Sequence, residues 1–378
     1  MKFDKYAIVI GGAHFNSLGI IRALGEAGIK SVFLNSDEWS FSQESKYTIE
    51  TVNVKCEKEI ILVIQEIVKK YGGCPAIYPT SDQSAKILDD NFENLKENTF
   101  CPNCKGKMDY YLRKDIMCAV AKEAGFVVPE TKLLEINKNF KAELESFSIP
   151  FILKPVSNFC GTKGDIAICK SREEIDGIVE NFASYKTVLV QQYVHGKENL
   201  MIEYCGCKTQ GKKAEVYGQL EKIREYPVNR GSTSYAVIKE KITYIDASVL
   251  DRMLDMTEFS GIFDLELKVV DGVPYFIEIN FRNGAPAYAF IRGGFNLHNI
   301  WYAQQNGENI EPSTIKETKL ICEGIDLSNV FERNIKITEW IKDYFGADAH
   351  MIANKKDIKP FLSQYKLLKP FFEAKFSI

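Results

Sequence analysis

The stretch Phe276-Ile-Glu-Ile-Asn-Phe-Arg-Asn-Gly284 is the part of the chain best equipped for chemistry. It follows a second acidic segment, Asp264-Leu-Glu-Leu-Lys-Val-Val270, across Asp271-Gly272. From Phe276 to Asn280 polar and apolar residues alternate, so Glu278 and Asn280 face the same side of one strand. Glu266 lies on the neighbouring strand of the predicted hairpin. Two carboxylates and an amide oxygen then share one sheet face, with the Arg282 guanidinium just beyond. Hard oxygen ligands of this kind suit Mg²⁺, which usually also holds substrate phosphates. A solvated hairpin with acidic residues in it by chance is the plainer reading of these residues alone.

A second motif adds to the first. Phe151-Ile-Leu-Lys-Pro155 reads as an apolar strand ending in Lys154. It runs into Val156-Ser-Asn-Phe-Cys-Gly-Thr-Lys-Gly164 and then into Asp165-Ile-Ala-Ile-Cys169. A strand, a loop with glycines at Gly161 and Gly164, and a further strand form a lid over a triphosphate, where backbone N–H groups approach phosphate oxygens. Lys154 would add a point charge. A third motif, Thr187-Val-Leu-Val-Gln-Gln-Tyr-Val194, is an apolar strand leading into an exposed connection that can present backbone groups to an adenine edge. Glu198 is placed to accept hydrogen bonds from ribose hydroxyls.

In this order and spacing the three motifs resemble the ATP-grasp superfamily, over roughly residues 105 to 310. The matching elements are Lys154 in its strand, the hinge Val190 to Val194, and Glu266, Glu278 and Asn280 with Arg282. Tyr110-Tyr-Leu-Arg-Lys-Asp-Ile116 looks like the segment carrying a first nucleotide-contacting lysine, here Lys114. The resemblance implies that Lys114, Lys154, Gly161, Gly164, Gln191, Gln192, Val194 and Glu198 bind ATP. It implies that Glu266, Glu278 and Asn280 hold one or two Mg²⁺ ions, with Mn²⁺ as an alternative. Arg282, with Arg292 or the Lys222 and Arg224 segment, would stabilise charge on a reacting acyl group. The chain departs from many relatives in two places. The lid loop has fewer glycines, and Gln191 stands where a glutamate is common, so an amide oxygen would meet the adenine amino group.

The activity implied is ADP-forming C–N ligation: a carboxylate becomes an acylphosphate and an amine displaces the phosphate. Asn16-Ser-Leu-Gly-Ile-Ile-Arg22 and Lys222-Ile-Arg-Glu-Tyr-Pro227 look most like ligases that join amino acids, D-aspartate ligases among them. The partners implied are a small-molecule carboxylate and amine, with a homodimer as the common state in the superfamily. Two other readings stay open: another ATP-grasp chemistry, such as a carboxylase or purine-pathway ligase, and a non-catalytic nucleotide-binding protein. No biotinyl Met-Lys-Met segment occurs, and all four residues of the metal and arginine set are present.

The elements that must position these residues follow from composition and periodicity. The chain has 378 residues, enough for two or three packed units. It is 45% hydrophobic and 26% charged, with a net charge of −3 that gives no pull toward nucleic acid or membranes. No window is apolar enough for a membrane helix, and residues 1–10 are too short in apolar run for a signal peptide, so the expected location is the cytoplasm. Strand, helix and strand over Lys5 to Leu34 predict a βαβ unit and a parallel sheet. Gly11-Gly12 followed by Gly19 does not fit GxGxxG. Asn16, Ser17, Thr80, Ser81 and Asp82 fall at the carboxyl edge of that sheet, where α/β folds bind ligands, or act simply as caps.

The expected fold is thus α/β and α+β. A parallel-sheet α/β domain, residues 1–104, precedes a two-lobed ATP-grasp domain with antiparallel sheets, residues 105–312. Its lid spans about 130–190 and its catalytic sheet about 191–312. Residues 313–378 form an extension packed on the body. Leu220 to Ser234, with Lys222, Arg224 and Arg230, reads as a cationic loop suited to an acidic substrate. Of ten cysteines, Cys118, Cys169, Cys205 and Cys207 read as small buried hydrophobes, and Cys101-Pro-Asn-Cys104 as reduced thiols in a loop. The four histidines are scattered and suggest no metal site or triad.

Overall fold

The computed structural model describes residues 5–157, 165–228, 231–311 and 313–364. Four strands open the chain: β1 (Tyr6–Gly11), β2 (Lys30–Asn35), β3 (Thr48–Asn53) and β4 (Ala76–Pro79). They pair in parallel in the order β3-β2-β1-β4. Such a sheet is buried on both faces, which is why β1 reads as an unbroken apolar run. On one face Leu18, Ile21 and Leu24 of helix Phe15–Glu26 pack on Val9 and Phe33. On the other, Ile60, Ile64 and Ile67 of helix Glu57–Tyr71 pack on Ile8 and Val32. The sequence reading did not include β3, whose alternating residues are only half-buried at the sheet edge.

The next four strands form the sheet expected as the lid. They are β5 (Thr131–Glu135), β6 (Phe151–Pro155), β7 (Ala167–Cys169) and β8 (Thr187–Gln192), antiparallel in the order β5-β8-β6-β7. Phe151, Leu153, Val188 and Val190 bury one face against Phe140, Leu144, Ile175, Ile178 and Phe182 of two covering helices.

The remaining strands are β9 (Asn199–Lys208), β10 (Glu215–Val216), β11 (Gln219–Tyr226), β12 (Ser232–Lys239), β13 (Gly261–Val270), β14 (Val273–Asn280), β15 (Thr318–Ile321) and β16 (Ala349–His350). They form one sheet in the order β14-β13-β9-β11-β12-β15-β16, with β10 beside β9. The segment expected as a cationic loop is therefore largely strand: β11 and β12 pair across it. Arg230 lies outside the described residues. Residues after 313 also do more than pack on the body, because β15 and β16 extend this sheet.

One face of the large sheet, with Ile202, Tyr204, Phe263, Leu265 and Phe276, packs on helices Lys114–Ala124 and Ala247–Met256. The other, with Cys205, Cys207, Leu220, Ala236 and Leu320, packs on helices of the N-terminal unit and on Leu297–Gln305. The nine described cysteines are free, and Cys101 and Cys104 are buried. The loop around them folds onto Asp89, which accepts backbone N–H bonds from Cys104, Gly106 and Met108.

The C-terminal extension is tied to the N-terminal helix by a buried ion pair. Arg22 Nε donates to Asp357 Oδ2 at 3.0 Å, with side chains 0% and 2% exposed. Arg22 also donates to the Asp357 carbonyl, and Asp357 accepts from Ser45 and from the Lys46 backbone. Removing one partner leaves an uncompensated buried charge. Asp357→Ala is expected to lose about 3–5 kcal/mol in urea unfolding, and Arg22→Leu with Asp357→Leu to lose less. A loss in Asp357→Ala below about 1 kcal/mol, the range of an exposed pair, would contradict this role.

Candidate active site

A cavity of about 780 Å³ opens between the lid sheet and the large sheet. Its floor is set by the β13–β14 hairpin. Asp271 and Gly272 both have positive φ, as a two-residue type I′ turn requires. The resulting register places Glu266 opposite Glu278 and Asp264 opposite Asn280. The register shifts between Glu266 and Leu267, so Ile277 joins Glu278 in lining the cavity. Bulges are common beside functional sites because they re-aim a side chain in this way. On the other side of β13, Glu203 of β9 lies opposite Glu266.

So many carboxylates on one floor must be offset. Lys222 Nζ lies 2.9 Å from Glu203 Oε1 and 3.0 Å from Glu266 Oε2, and those two carboxylates raise its pKa well above normal despite its burial. Thr233 Oγ1 donates to Glu203 Oε1 at 2.5 Å, while the buried Glu203 Oε2 has no hydrogen-bond partner among the described residues. Asp264 is buried, and desolvation, then Glu203 and Glu266, push its carboxyl well above the usual range. Arg282 donates to Asp82 Oδ1 (2.9 Å), to the Asn283 carbonyl (3.1 Å) and to Asn280 Oδ1 (3.1 Å).

The opposite wall is cationic. Lys154 is buried, lines the cavity and donates to Gln191 Oε1 at 2.9 Å. Burial, and then the nearby Lys114, lower its pKa, while the Glu278 charge works the other way. An ammonium held between another cation and a carboxylate at a cavity wall is placed for a polyanion. The hinge residues Gln192, Tyr193 and Val194 line the same cavity, with Lys268 4.4 Å from the centre of the Tyr193 ring.

The structure brings together Lys114, Lys154, Gln191, Gln192, Val194, Lys222, Glu266, Glu278, Asn280 and Arg282 around this cavity. Three expected residues do not line it. Arg224 is spent on Asp326 and Asp343 and stacks on Tyr235, fixing the C-terminal helices to β11. Arg292 pairs with Glu26 and the Tyr288 hydroxyl. Glu198 is exposed and donates its backbone N–H to Asp271. Gly161 and Gly164 lie outside the described residues. Gln191 differs from expectation too. Its oxygen takes the Lys154 ammonium and its Nε2 donates to Thr131, so the amide positions the lysine instead of facing a base.

The N-terminal sheet edge also contributes differently from expectation. Ser81 caps helix Asp82–Asp90, Asp82 holds Arg282, and Asn16 bonds Asn283, but none of these lines the cavity, nor do Ser17 and Thr80. His14 and Phe15 line it instead. His14, not Ser17, caps helix Phe15–Glu26. Its ring is open to the cavity yet hemmed in by protein; desolvation, then Arg282, push its pKa down to about 4. Sequence reasoning also passed over Glu203 and Asp264, although Asp264 shares the period-two face of Glu266.

The donor set suits a hard divalent cation. Among the described residues no three His, Cys, Asp or Glu groups close a metal cage. Two facing carboxylates with an amide oxygen leave coordination positions to phosphate oxygens and water, as Mg²⁺ prefers. Among the described residues no helix is long and apolar enough to cross a membrane.

No protein-family model matches the sequence, and no curated protein matches it. Solved structures do match. The N5-carboxyaminoimidazole synthetase from Staphylococcus aureus complexed with ADP superposes with a TM-score of 0.68 at 16% identity, over 88% of this chain and 87% of that one. An L-amino acid ligase from Bacillus licheniformis gives 0.60 at 16% identity, over 83% and 76%. A phosphoribosylglycinamide synthetase from Anaerococcus prevotii gives 0.61 at 16% identity, over 84% and 80%. The chain therefore has the ATP-grasp fold, an N-terminal parallel α/β unit followed by a four-stranded and an eight-stranded sheet.

Near the cavity, His298 Nε2 lies 2.7 Å from Asn283 Oδ1, while its buried Nδ1 has no partner among the described residues. Burial lowers its pKa from 6.5 to about 3. As pH falls through 6.5 the unfolded chain takes up this proton first. The stabilisation is therefore complete above 6.5 and is lost progressively toward pH 3. Between about pH 6.5 and 5, above most carboxylate titrations, His298→Gln should flatten the pH dependence of urea stability by up to about 1.4 kcal/mol per unit. Equal slopes for the two proteins would contradict the assignment.

Proposed function

We propose that this protein is an ATP-dependent, ADP-forming carboxylate–amine ligase. The observation that carries the proposal is the facing pair Glu266 and Glu278 on a cavity floor, with Lys154 and Lys114 on the opposite wall. ATP would lie between the lid and the large sheet, its base toward Tyr193, Val194 and Ile277 and its phosphates toward the two lysines. Glu266, Glu278 and Asn280 would hold Mg²⁺, which neutralises phosphate charge when bound. Lys222, 3.0 Å from Glu266 Oε2, holds that carboxylate in place.

In the reaction a substrate carboxylate oxygen attacks the γ-phosphorus. The bond from that phosphorus to the bridging oxygen breaks, and ADP leaves. The amine nitrogen then attacks the acyl carbon of the acylphosphate. A C–N bond forms, the C–O bond to phosphate breaks, and the amine gives its proton to solvent. Arg282 stabilises charge on the acyl oxygens. The lid sheet shields the acylphosphate from water. No enzyme nucleophile is required. An amino acid as the amine is the finer part of this reading, supported by the likeness to an amino acid ligase.

The test is ADP release from MgATP across D- and L-amino acids, singly and in pairs, with bicarbonate included as a carboxyl donor. Release that depends on one acid and one amine is the expected result. Glu278→Ala should lower it by more than about a hundredfold with an unchanged melting profile, since even outer-shell partners of metal ligands are worth about 10–100-fold. Turnover near the parent rate in that variant would overturn the metal assignment.

A further inference from the structure

The loop that carries His14 is pinned from behind. The Gly12 carbonyl accepts from Ser40 Oγ at 3.0 Å and from the His14 N–H at 2.8 Å. The Ala13 N–H donates to Asp37 Oδ2 at 2.5 Å. The ring is fixed as well, because His14 Nδ1 accepts from the Asn16 backbone N–H at 3.1 Å and the ring lies on Phe15, centroids 4.2 Å apart. An imidazole whose Nδ1 lone pair is engaged carries its proton on Nε2.

His14 and Arg282 line the same cavity, the Arg282 charge acts on the His14 ring, and the two segments are tied by the Asn16 side chain donating to the Asn283 carbonyl at 3.1 Å. Three N–H groups of Arg282 are committed to Asp82, Asn283 and Asn280. A guanidinium has five, so two have no partner among the described residues. The Arg282 charge and the N-terminal end of helix Phe15–Glu26 both oppose a second positive charge on the ring. His14 is thus a neutral N–H donor facing the same cavity as a guanidinium. It is unsuited to act as a base, since one nitrogen holds the proton and the other caps the helix. It suits an anionic oxygen of a small molecule.

Building on the ligase reading, we infer that His14 binds the carboxylate substrate, its Nε2–H and the other two N–H groups of Arg282 together holding the carboxylate that ATP activates. As charge builds on the acyl oxygens, a neutral donor that need not give up its proton holds it without becoming a competing acid. The N-terminal unit thereby contributes directly to the reaction site through the loop after β1.

The test uses the full chain labelled with ¹⁵N-histidine, with His14 assigned through His14→Asn. Asparagine retains a helix cap and lacks the Nε2–H. The probes are MgADP, then acetate, then bicarbonate. At neutral pH the His14 resonances should report the Nε2–H tautomer, and acetate added to the MgADP complex should shift Nε2. In His14→Asn the affinity for ¹³C-acetate, read from its line width, should fall about tenfold, as for one hydrogen bond to a charged group. A shift with bicarbonate alone would restrict the site to carbonate-type donors. An Nδ1–H tautomer, an imidazolium, or no response to either anion would overturn the inference. Absence of MgADP binding would instead refute the ligase reading, while the tautomer would still report on His14.

Discussion

The organisation of the site depends on the pairing of two carboxylates across the β13–β14 hairpin. Like charges directly opposite one another destabilise a sheet. Glu266 and Glu278 face each other, and Glu203 and Asp264 crowd the same floor. The chain answers with cations fixed from three directions. Lys222 of β11 sits between Glu203 and Glu266, Arg282 reaches Asn280 from beyond β14, and Lys154 faces the floor from the lid. Asp264, with no direct ion pair among the described residues, instead has its pKa driven up by desolvation and then by Glu203 and Glu266. Each of these cations is buried or held by several partners, so the floor is preorganised.

The same logic explains how three segments distant in sequence come to enclose one cavity. Arg282 is anchored on Asp82, at the start of a helix of the N-terminal unit, so the β13–β14 hairpin and the parallel-sheet unit are locked together beside the cavity. Asn283 continues that seam through Asn16 and His298. On the far side, Arg224 fastens β11 to the helices after β15, and Arg22 fastens the first helix to Asp357. Two arginines that read from sequence as catalytic candidates, Arg224 and Arg292, serve this scaffolding. The lid is tied mainly by shorter-range contacts, Gln191 to Lys154 and Thr131, and the Lys114 N–H to the Val156 carbonyl.

Much of this was legible in the residues. Period-two alternation placed Glu278 and Asn280 on one face, and Asp271-Gly272 fixed a hairpin that put Glu266 beside them. The apolar run of β1 and the stripe of helix Phe15–Glu26 gave the parallel unit. Tertiary partners were not legible. Arg224 and Lys222 are two apart on β11, yet one meets Asp326 and Asp343 and the other meets Glu203 and Glu266. A register shift near Arg224 and the docking of the C-terminal helices separate them, and neither leaves a local signal. Gln191 looked like a base-reading amide because its position is in the hinge, but its side chain points back to Lys154. His14 read only as one of four scattered histidines because a lone histidine after Gly11-Gly12 has no partner within the sequence window; only the fold brings the Arg282 charge to it.

The most direct test of the central claim is a calorimetric titration of ADP with and without Mg²⁺. The account predicts one site per chain, binding that tightens when Mg²⁺ is present, and loss of that Mg²⁺-dependent gain in Glu278→Ala. ADP binding that is absent, or that is indifferent to Mg²⁺ and to Glu278, would contradict it.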